Sequence, residues 1–538
     1  MAETTPELLE TPATTPTPTS YGLKRSLGLW DILMITVMGI SLAFTGWLPF
    51  STLAGMFPTA ELSILVSAGL VLVLIHTFTF SAMGAVFPYA ASDYVTSSRI
   101  LSPFLGFVAS WIQTMFLALL AGGLAAWTAQ SAVPTLAQSL GFLLGNAGLI
   151  TLASSIAEPA TASLIMVLIL VLAFGLASLG HREIRLVLLI VFGIMIVAWL
   201  VVIVQMLTGQ PQAVRDGWNL ALGSGTFQQV LVDAKSLAMP TTPNPGLGAI
   251  VGVVLSLGIY FGGFLPSQLA GETKKAGRNL SLGSLLGIIL VWALILVAII
   301  FTQRLFTAEW LTSEAYIFQN YHFGMQLPWI NFYAGIANQQ PVLVILTSVG
   351  WLVAFVAMIQ MLLMAASRSI WAWSQDGLTP SFVGLLHKRE KTPLIALFIA
   401  GLVAILGGLA ALLNAAWIPQ RLFVWVVAAS QLIPVLALII LPFKDRELTD
   451  HAGGIFAFRL LGIPFISLAG IISLLFLVVV LVGPFLLDIV PAKVMMNQIY
   501  LLVRLAGTGV LWFIVRLLIL RRSGTKLKDK IKYLPEVD

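Results

Sequence analysis

Twelve apolar segments, each long enough to cross a bilayer, constrain this chain more than anything else in it. They run over about 29–54, 60–86, 103–130, 160–179, 186–208, 248–271, 282–303, 341–372, 394–413, 421–442, 461–488 and 497–519. A hydrocarbon core of about 30 Å takes about 20 helical residues. Lipid offers no partner to a free backbone N–H or C=O, so each segment is expected to be a helix. Barrel strands would alternate over about 10 residues, and continuous runs such as Leu164–Ala173 do not alternate. Only 9% of the residues are charged and 59% are hydrophobic, against about 25% charged in soluble proteins. The expected fold is an all-α integral membrane protein with twelve transmembrane helices.

The placement of the basic residues tests that count. With the N-terminus in the cytosol, 22 of the 28 Lys and Arg fall on inner loops and tails. Only Arg215, Lys235, Arg304, Arg421, Lys493 and Arg504 fall on or near the outside. This is the positive-inside pattern, and an odd number of spans would scramble it. Both termini are therefore expected in the cytosol, in a cell membrane. The net charge of +6 is topological, and no nucleic-acid partner is predicted.

The ends differ from the spans. The Thr- and Pro-rich stretch 1–22 reads as a disordered cytosolic tail, since it has neither the basic nor the apolar region of a signal peptide. Residues 521–538 read as a basic cytosolic tail, and 23–520 as one twelve-helix domain. There is no cysteine, so disulfides, thiolate catalysis and iron–sulfur clusters are excluded. Five scattered histidines make no metal cluster. No nucleophile–base pair or cofactor motif is visible, so neither an enzyme nor a cofactor is predicted.

Two spans look interrupted. The first contains Gly39, Gly46 and Pro49, and the sixth contains Gly246, Gly248, Gly252, Gly258, Gly262, Gly263 and Pro266. Small residues also permit plain close packing of helices. Gly262-Gly263 followed by Pro266 favours a break, because proline removes a donor and glycine tolerates unwound dihedrals. The two spans lie five apart, which fits two inverted halves over about 27–208 and 246–442, with extra helices at about 461–519. At such a break the positive end of a half-helix attracts a carboxylate, and exposed carbonyls hold an ammonium or a cation.

Four motifs resemble those of the amino acid–polyamine–organocation (APC) transporters. They are Leu23–Asp31, Phe87–Trp111, Gly258–Asn279 and, most specific, Ala366–Pro393 with its Ser-Arg and Asp-Gly-x-x-Pro elements. Pro88 and Tyr94 match the family's Pro-x-x-Gly-Gly-x-Tyr, with Ala91 and Ser92 in place of its glycines. Glu272 and Arg278 match Glu-x-x-x-Pro-x-Arg, with Ala276 in place of proline. The resemblance implies the leucine-transporter-like 5+5 inverted repeat plus two extra C-terminal helices. It implies transport of an amino acid or related amine by alternating access. The family's Gly-Ser-Gly would align near Leu42-Ala43-Phe44 and is absent, so the break must come from Gly39, Ser41, Thr45, Gly46 or Pro49. This diverged first span is somewhat like the amino acid/choline branch. Phe264 stands where some members carry an acid, which disfavours cationic substrates.

The implied substrate-binding residues are Ser41, Ala43, Thr45, Gly46, Tyr260, Gly262, Gly263 and Phe264. Arg99, Glu272, Arg278, Arg368 and Asp376 cluster on predicted cytosolic ends, either as an inner gate or as topology and helix capping. The coupling ion stays open. The depth at which some relatives bind Na⁺ falls near Ala354–Met358, which has no side-chain oxygen, and the fifth span has Met195 where sodium-independent relatives place lysine. His76 lies mid-span and is a candidate for proton coupling or a neutral cross-helix hydrogen bond. Gln113 and Gln360 read as cavity lining or as cross-helix bonds. An uncoupled facilitator or exchanger and a non-transporting sensor of the same fold are the alternatives.

Overall fold

The computed structural model describes residues 22–241, 252, 257–321, 329–387, 391–413, 423–486, 492–524 and 527. The tail 1–21, Gly246 and Gly248 of the sixth span, and most of the C-terminal tail lie outside the described residues. Among those described, eleven helices are long and apolar enough to span a membrane. They are Leu29–Met56, Leu62–Val86, Pro103–Leu144, Pro159–Ser178, Glu183–Thr208, Ala276–Phe306, Pro341–Gln375, Leu394–Leu412, Val424–Lys444, Phe465–Leu486 and Ala492–Arg522. Each matches one expected segment. The sixth expected segment is helical at 257–259, and a 3₁₀ stretch at Phe261–Glu272 follows. The fold is an all-α membrane bundle, with one two-residue hairpin, Arg459–Leu460 against Ile463–Pro464.

Local chemistry sets the helix ends. Pro103, Pro159 and Pro341 open their helices at the first turn, where the missing N–H costs nothing. Ser102 Oγ accepts from Leu105 N–H at 3.2 Å. The third span runs on to Leu144, well past its expected end near 130, through a π turn at Thr128–Ala132. Gly145 then ends it with φ 59.

With lipid on one side, helix association rests on close packing rather than water exclusion. A Cβ at Gly122 would overlap the Ala404 carbonyl, which joins spans three and nine, and one at Gly350 would overlap Ala198, which joins spans five and eight. Leu164, Leu168, Leu186 and Leu189 stay exposed on the opposite, lipid-facing sides of their helices.

Two short helices, Ala308–Tyr321 and Ile330–Asn338, follow the seventh span. The first packs on Pro49–Met56, the far end of span one. Together they cap the bundle on the face opposite Arg99, Arg368 and Asp376.

Candidate functional site

Of the five residues offered for the first interruption, the structure breaks the helix at Ser41. Leu29–Ile40 and Leu42–Leu48 are separate helices, and Ser41 between them has φ 64 and ψ 111. A positive φ is uncommon outside glycine and costs about 1–3 kcal/mol. The Ser41 hydroxyl holds it by accepting from Phe44 N–H at 3.4 Å and donating to the Ala354 carbonyl of span eight at 3.2 Å. The Leu42 carbonyl, in the first turn of the second helix, also accepts from Trp199 Nε1 at 3.1 Å and from Thr45 Oγ1 at 3.0 Å. A second irregularity, the π turn Pro49–Leu53, follows after the seven residues of Leu42–Leu48, about two turns further along.

The sixth span turns at Tyr260 and continues as the 3₁₀ stretch, with the Gly263 N–H bonded to the Tyr260 carbonyl at 2.9 Å. The two interrupted helices cross at Gly39 and Gly262, where a Cβ on Gly262 would overlap the Gly39 carbonyl. Glycine is needed here for backbone contact, since two interrupted helices must touch at mid-bundle. The remaining candidates scatter around this crossing. Ala43 and Thr45 are fully buried. Gly46 backs onto Trp351 and Ile330, and Gly263 faces Ile288 and Thr77. Phe264 packs on Phe80 and Phe261, with ring centroids 5.4 and 5.9 Å away. The Tyr260 hydroxyl donates to the Val66 carbonyl at 3.2 Å.

Above the break stands a group of rings that sequence reading missed. Trp47 lies 5.6 Å from Phe44 and 5.0 Å from Trp127, which in turn lies 5.2 Å from both Trp329 and Phe355. These residues come from spans one, three and eight, and Trp329 stands just before the helix Ile330–Asn338, so no local pattern announces them. Among the described residues, the indole N–H groups of Trp47 and Trp329 have no partner.

On the basic face, four of the five gate candidates form two ion pairs. The guanidinium of Arg99 grips both Asp376 oxygens at 2.7 Å, and the Tyr94 hydroxyl donates to the same carboxylate. Arg368 Nε meets Glu272 Oε1 at 2.7 Å, with both side chains almost fully buried. Arg278 is exposed and sits apart from both pairs. The chain leading into span one lies along the segment after span six: Ser26 and Leu27 N–H bond the Glu272 carbonyl, and Lys274 N–H returns to the Leu27 carbonyl. This face is therefore closed by backbone pairing as well as by charge. Ala91 has φ 52, left-handed, at the position where the resemblance expects glycine. Ala276 is the first residue of its helix, where proline would fit equally well.

Just behind the ion pairs lies Asp93, buried, which accepts from Gln113 Nε2 at 2.7 Å and from Tyr94 N–H at 2.8 Å. Burial pushes this carboxyl above the ordinary range, and hydrogen bonds including those from Gln268 and Gln113 pull the other way. Among the described residues, Gln360 reaches only the Met364 sulfur, at 3.9 Å.

His76 sits between spans ten and eleven. Its Nδ1 is 2.7 Å from Ser473 Oγ, its Nε2 is 3.1 Å from Gln431 Oε1, and Phe80 and Phe476 flank the ring. Replacing it by alanine strands two buried polar groups, each worth about 1–3 kcal/mol. His76→Ala is expected to lower thermal stability while leaving uptake at pH 7 within about twofold of wild type. A flattened uptake-versus-pH profile in this variant would assign the ring a role in proton movement, and an unchanged profile would remove it from that role.

The interrupted helices and the apolar bundle define a multi-pass, all-α membrane protein. Comparison with family models matches residues 27–511 to the amino acid permease family. The chain belongs to that family, within the APC superfamily. Comparison with curated proteins gives no match. Family membership points to a transporter of amino acids or related solutes rather than to an enzyme.

Proposed function

We propose that the protein is a secondary carrier that moves an amino acid or a closely related amine across the cell membrane by alternating access. The observation that carries this reading is the crossing of two interrupted helices at Gly39 and Gly262, enclosed between an ion-paired basic face and a helix-capped opposite face. Backbone groups released at Ser41 and Tyr260 would bind the ends of a zwitterion. Ser41, Ala43, Thr45, Gly46, Tyr260, Gly262, Gly263 and Phe264 form the proposed binding region. Phe264 supplies no charge, so zwitterionic substrates suit the site better than cationic ones.

In this reading the basic face is cytosolic, as are both termini. The inverted halves 27–208 and 246–442 supply a moving unit of spans one, two, six and seven and a scaffold of three, four, eight and nine. The pairs Arg99–Asp376 and Glu272–Arg368 hold the inner mouth shut until the moving unit rocks.

Counterflow in proteoliposomes tests this. Vesicles loaded with a panel of unlabelled amino acids and amines should take up one labelled counterpart saturably. Repeating the assay with and without Na⁺ and pH gradients assigns the coupling. Flux that never saturates would make the protein a facilitator, and binding without flux would make it a sensor. Silence across the panel, in vesicles with folded and oriented protein, would overturn the amino-acid assignment.

A further inference from the structure

The outer cap contains a carboxyl that transport by the helix breaks does not use. Glu314 lies on Ala308–Tyr321, the helix seated on the outer end of span one, and is fully buried. The next residue, Ala315, presents its carbonyl so closely to Gly55 that no Cβ would fit there. Glu314 is thus pinned at the contact that closes this face. Its Oε2 accepts from the Tyr333 hydroxyl of Ile330–Asn338 at 2.8 Å, and its Oε1 has no partner.

Among the described residues no ion pair reaches it. Of the elements packed against this helix, Pro49–Met56 carries no ionisable residue. Thr226–Ser236 carries Asp233, which accepts from Gln229, and the exposed Lys235. Ala276–Phe306 carries Arg304, which is spent on the carbonyls of Met206, Leu207 and Gly209. On its own helix Glu309 is exposed. Among the described residues none of these pairs with Glu314.

We propose that Glu314 is a proton-binding site, loaded from the extracellular side, whose occupancy holds the outer cap closed on span one. A buried carboxylate with one hydrogen bond and no counter-ion is strongly disfavoured. The closed cap therefore selects the neutral acid, and a cap lifted into water releases the proton. Burial accordingly pushes the Glu314 carboxyl up to about 8, with the Tyr333 hydrogen bond pulling it down. In water the same group titrates at about 4.3. The closed state holds the higher value, so protonation favours closure. The effect is complete below about 4.3 and fades as pH rises through about 8, by at most about tenfold per unit. The inference rests on the transport reading only in calling the basic face cytosolic.

The chain has no cysteine, so spin labels can be placed on two introduced ones, A308C on the cap and L152C on Ala147–Ala157, both at exposed positions. Their distance distribution is measured by pulsed electron resonance in nanodiscs, without substrate, from pH 5 to pH 9. The expected result is a long-distance, open component that grows with pH in wild type. In E314Q, which is neutral at every pH, that component should stay small and flat. In Y333F, which loses the donor favouring the carboxylate, the curve should move to higher pH while ring packing persists. His322 lies outside the described residues, and H322N serves as its control and should follow wild type. An open component indifferent to pH in wild type, or one that changes equally in E314Q, overturns the proposal. So does a Y333F curve that fails to move, which keeps the test decisive should E314Q not fold. Because the distances are read without flux, a failed counterflow assay would leave this result standing.

Discussion

Glu272→Ala is expected to cost about 3–5 kcal/mol of stability, because it leaves the Arg368 guanidinium charged and alone in a site where it is 1% exposed. The size of the effect comes from the stranded charge rather than from the lost attraction. Glu272→Leu combined with Arg368→Met should therefore recover most of the loss, since two apolar side chains of similar size leave no charge or amide stranded. Asp450→Ala is the contrast. It breaks the Arg446–Asp450 pair, whose side chains are 69% and 47% exposed, and exposed pairs are worth about 0–1 kcal/mol. Thermal unfolding of the purified variants in one detergent orders them. Equal midpoints for Glu272→Ala and Asp450→Ala would show that the Glu272–Arg368 pair is hydrated and does not seal the face. Uptake separates seal from staple. If the pair only staples two helices together, the double variant transports normally; if it is the inner gate, the double variant folds but loses the ordered opening and closing of that mouth.

The spans were legible in the sequence because lipid imposes a length and a hydropathy that no tertiary contact can override. Eleven of the twelve expected segments appear as helices within a few residues of their expected ends, apart from the extension of the third to Leu144. The site was less legible, and for physical reasons. Glycine marks where a helix is able to break, yet the first span breaks at Ser41, which is held there by an Ala354 carbonyl 313 residues away. The basic and acidic residues of the basic face were visible as a cluster because they fall on loops that end the same side of the bundle. Which acid meets which base depends on side-chain reach, so Arg278 drops out while Tyr94 joins. The tryptophans 47, 127 and 329 converge from separate elements, and Glu314 lies in a segment too polar to read as a span and too short to read as a domain. Both are products of packing, which periodicity does not encode. The Ala91 substitution points the same way: a residue replaces the expected glycine while the backbone keeps the glycine conformation.

Gly262→Ala should be the most damaging single methyl among the described glycines of spans one, two, six and seven. Its Cβ would fall on the backbone of Gly39 and Ile40. A side chain can rotate away from an intruding methyl, but a carbonyl fixed in a helix end cannot, so the two interrupted helices must separate. Overpacking of this kind costs about 1–3 kcal/mol and more where backbone must shift, and here the shift falls on the geometry that presents both breaks to a solute. Loss of folded protein, or folded protein with uptake down by at least about tenfold, is expected. Gly258→Ala, one turn earlier on the same span, is the control. Among the described residues its Cβ would meet the Leu48 and Val424 side chains, at 3.3 and 3.6 Å, and those can yield, so uptake should stay within about twofold of wild type. The comparison isolates position from chemistry, since both variants add one methyl to a buried glycine of the same span. If Gly262→Ala folds and transports as Gly258→Ala does, the helices do not need to touch at Gly39 during the cycle. The crossing would then be a feature of the closed state alone, and the solute site would have to be sought on the outer side of Ser41, among the rings of Phe44, Trp47 and Trp127.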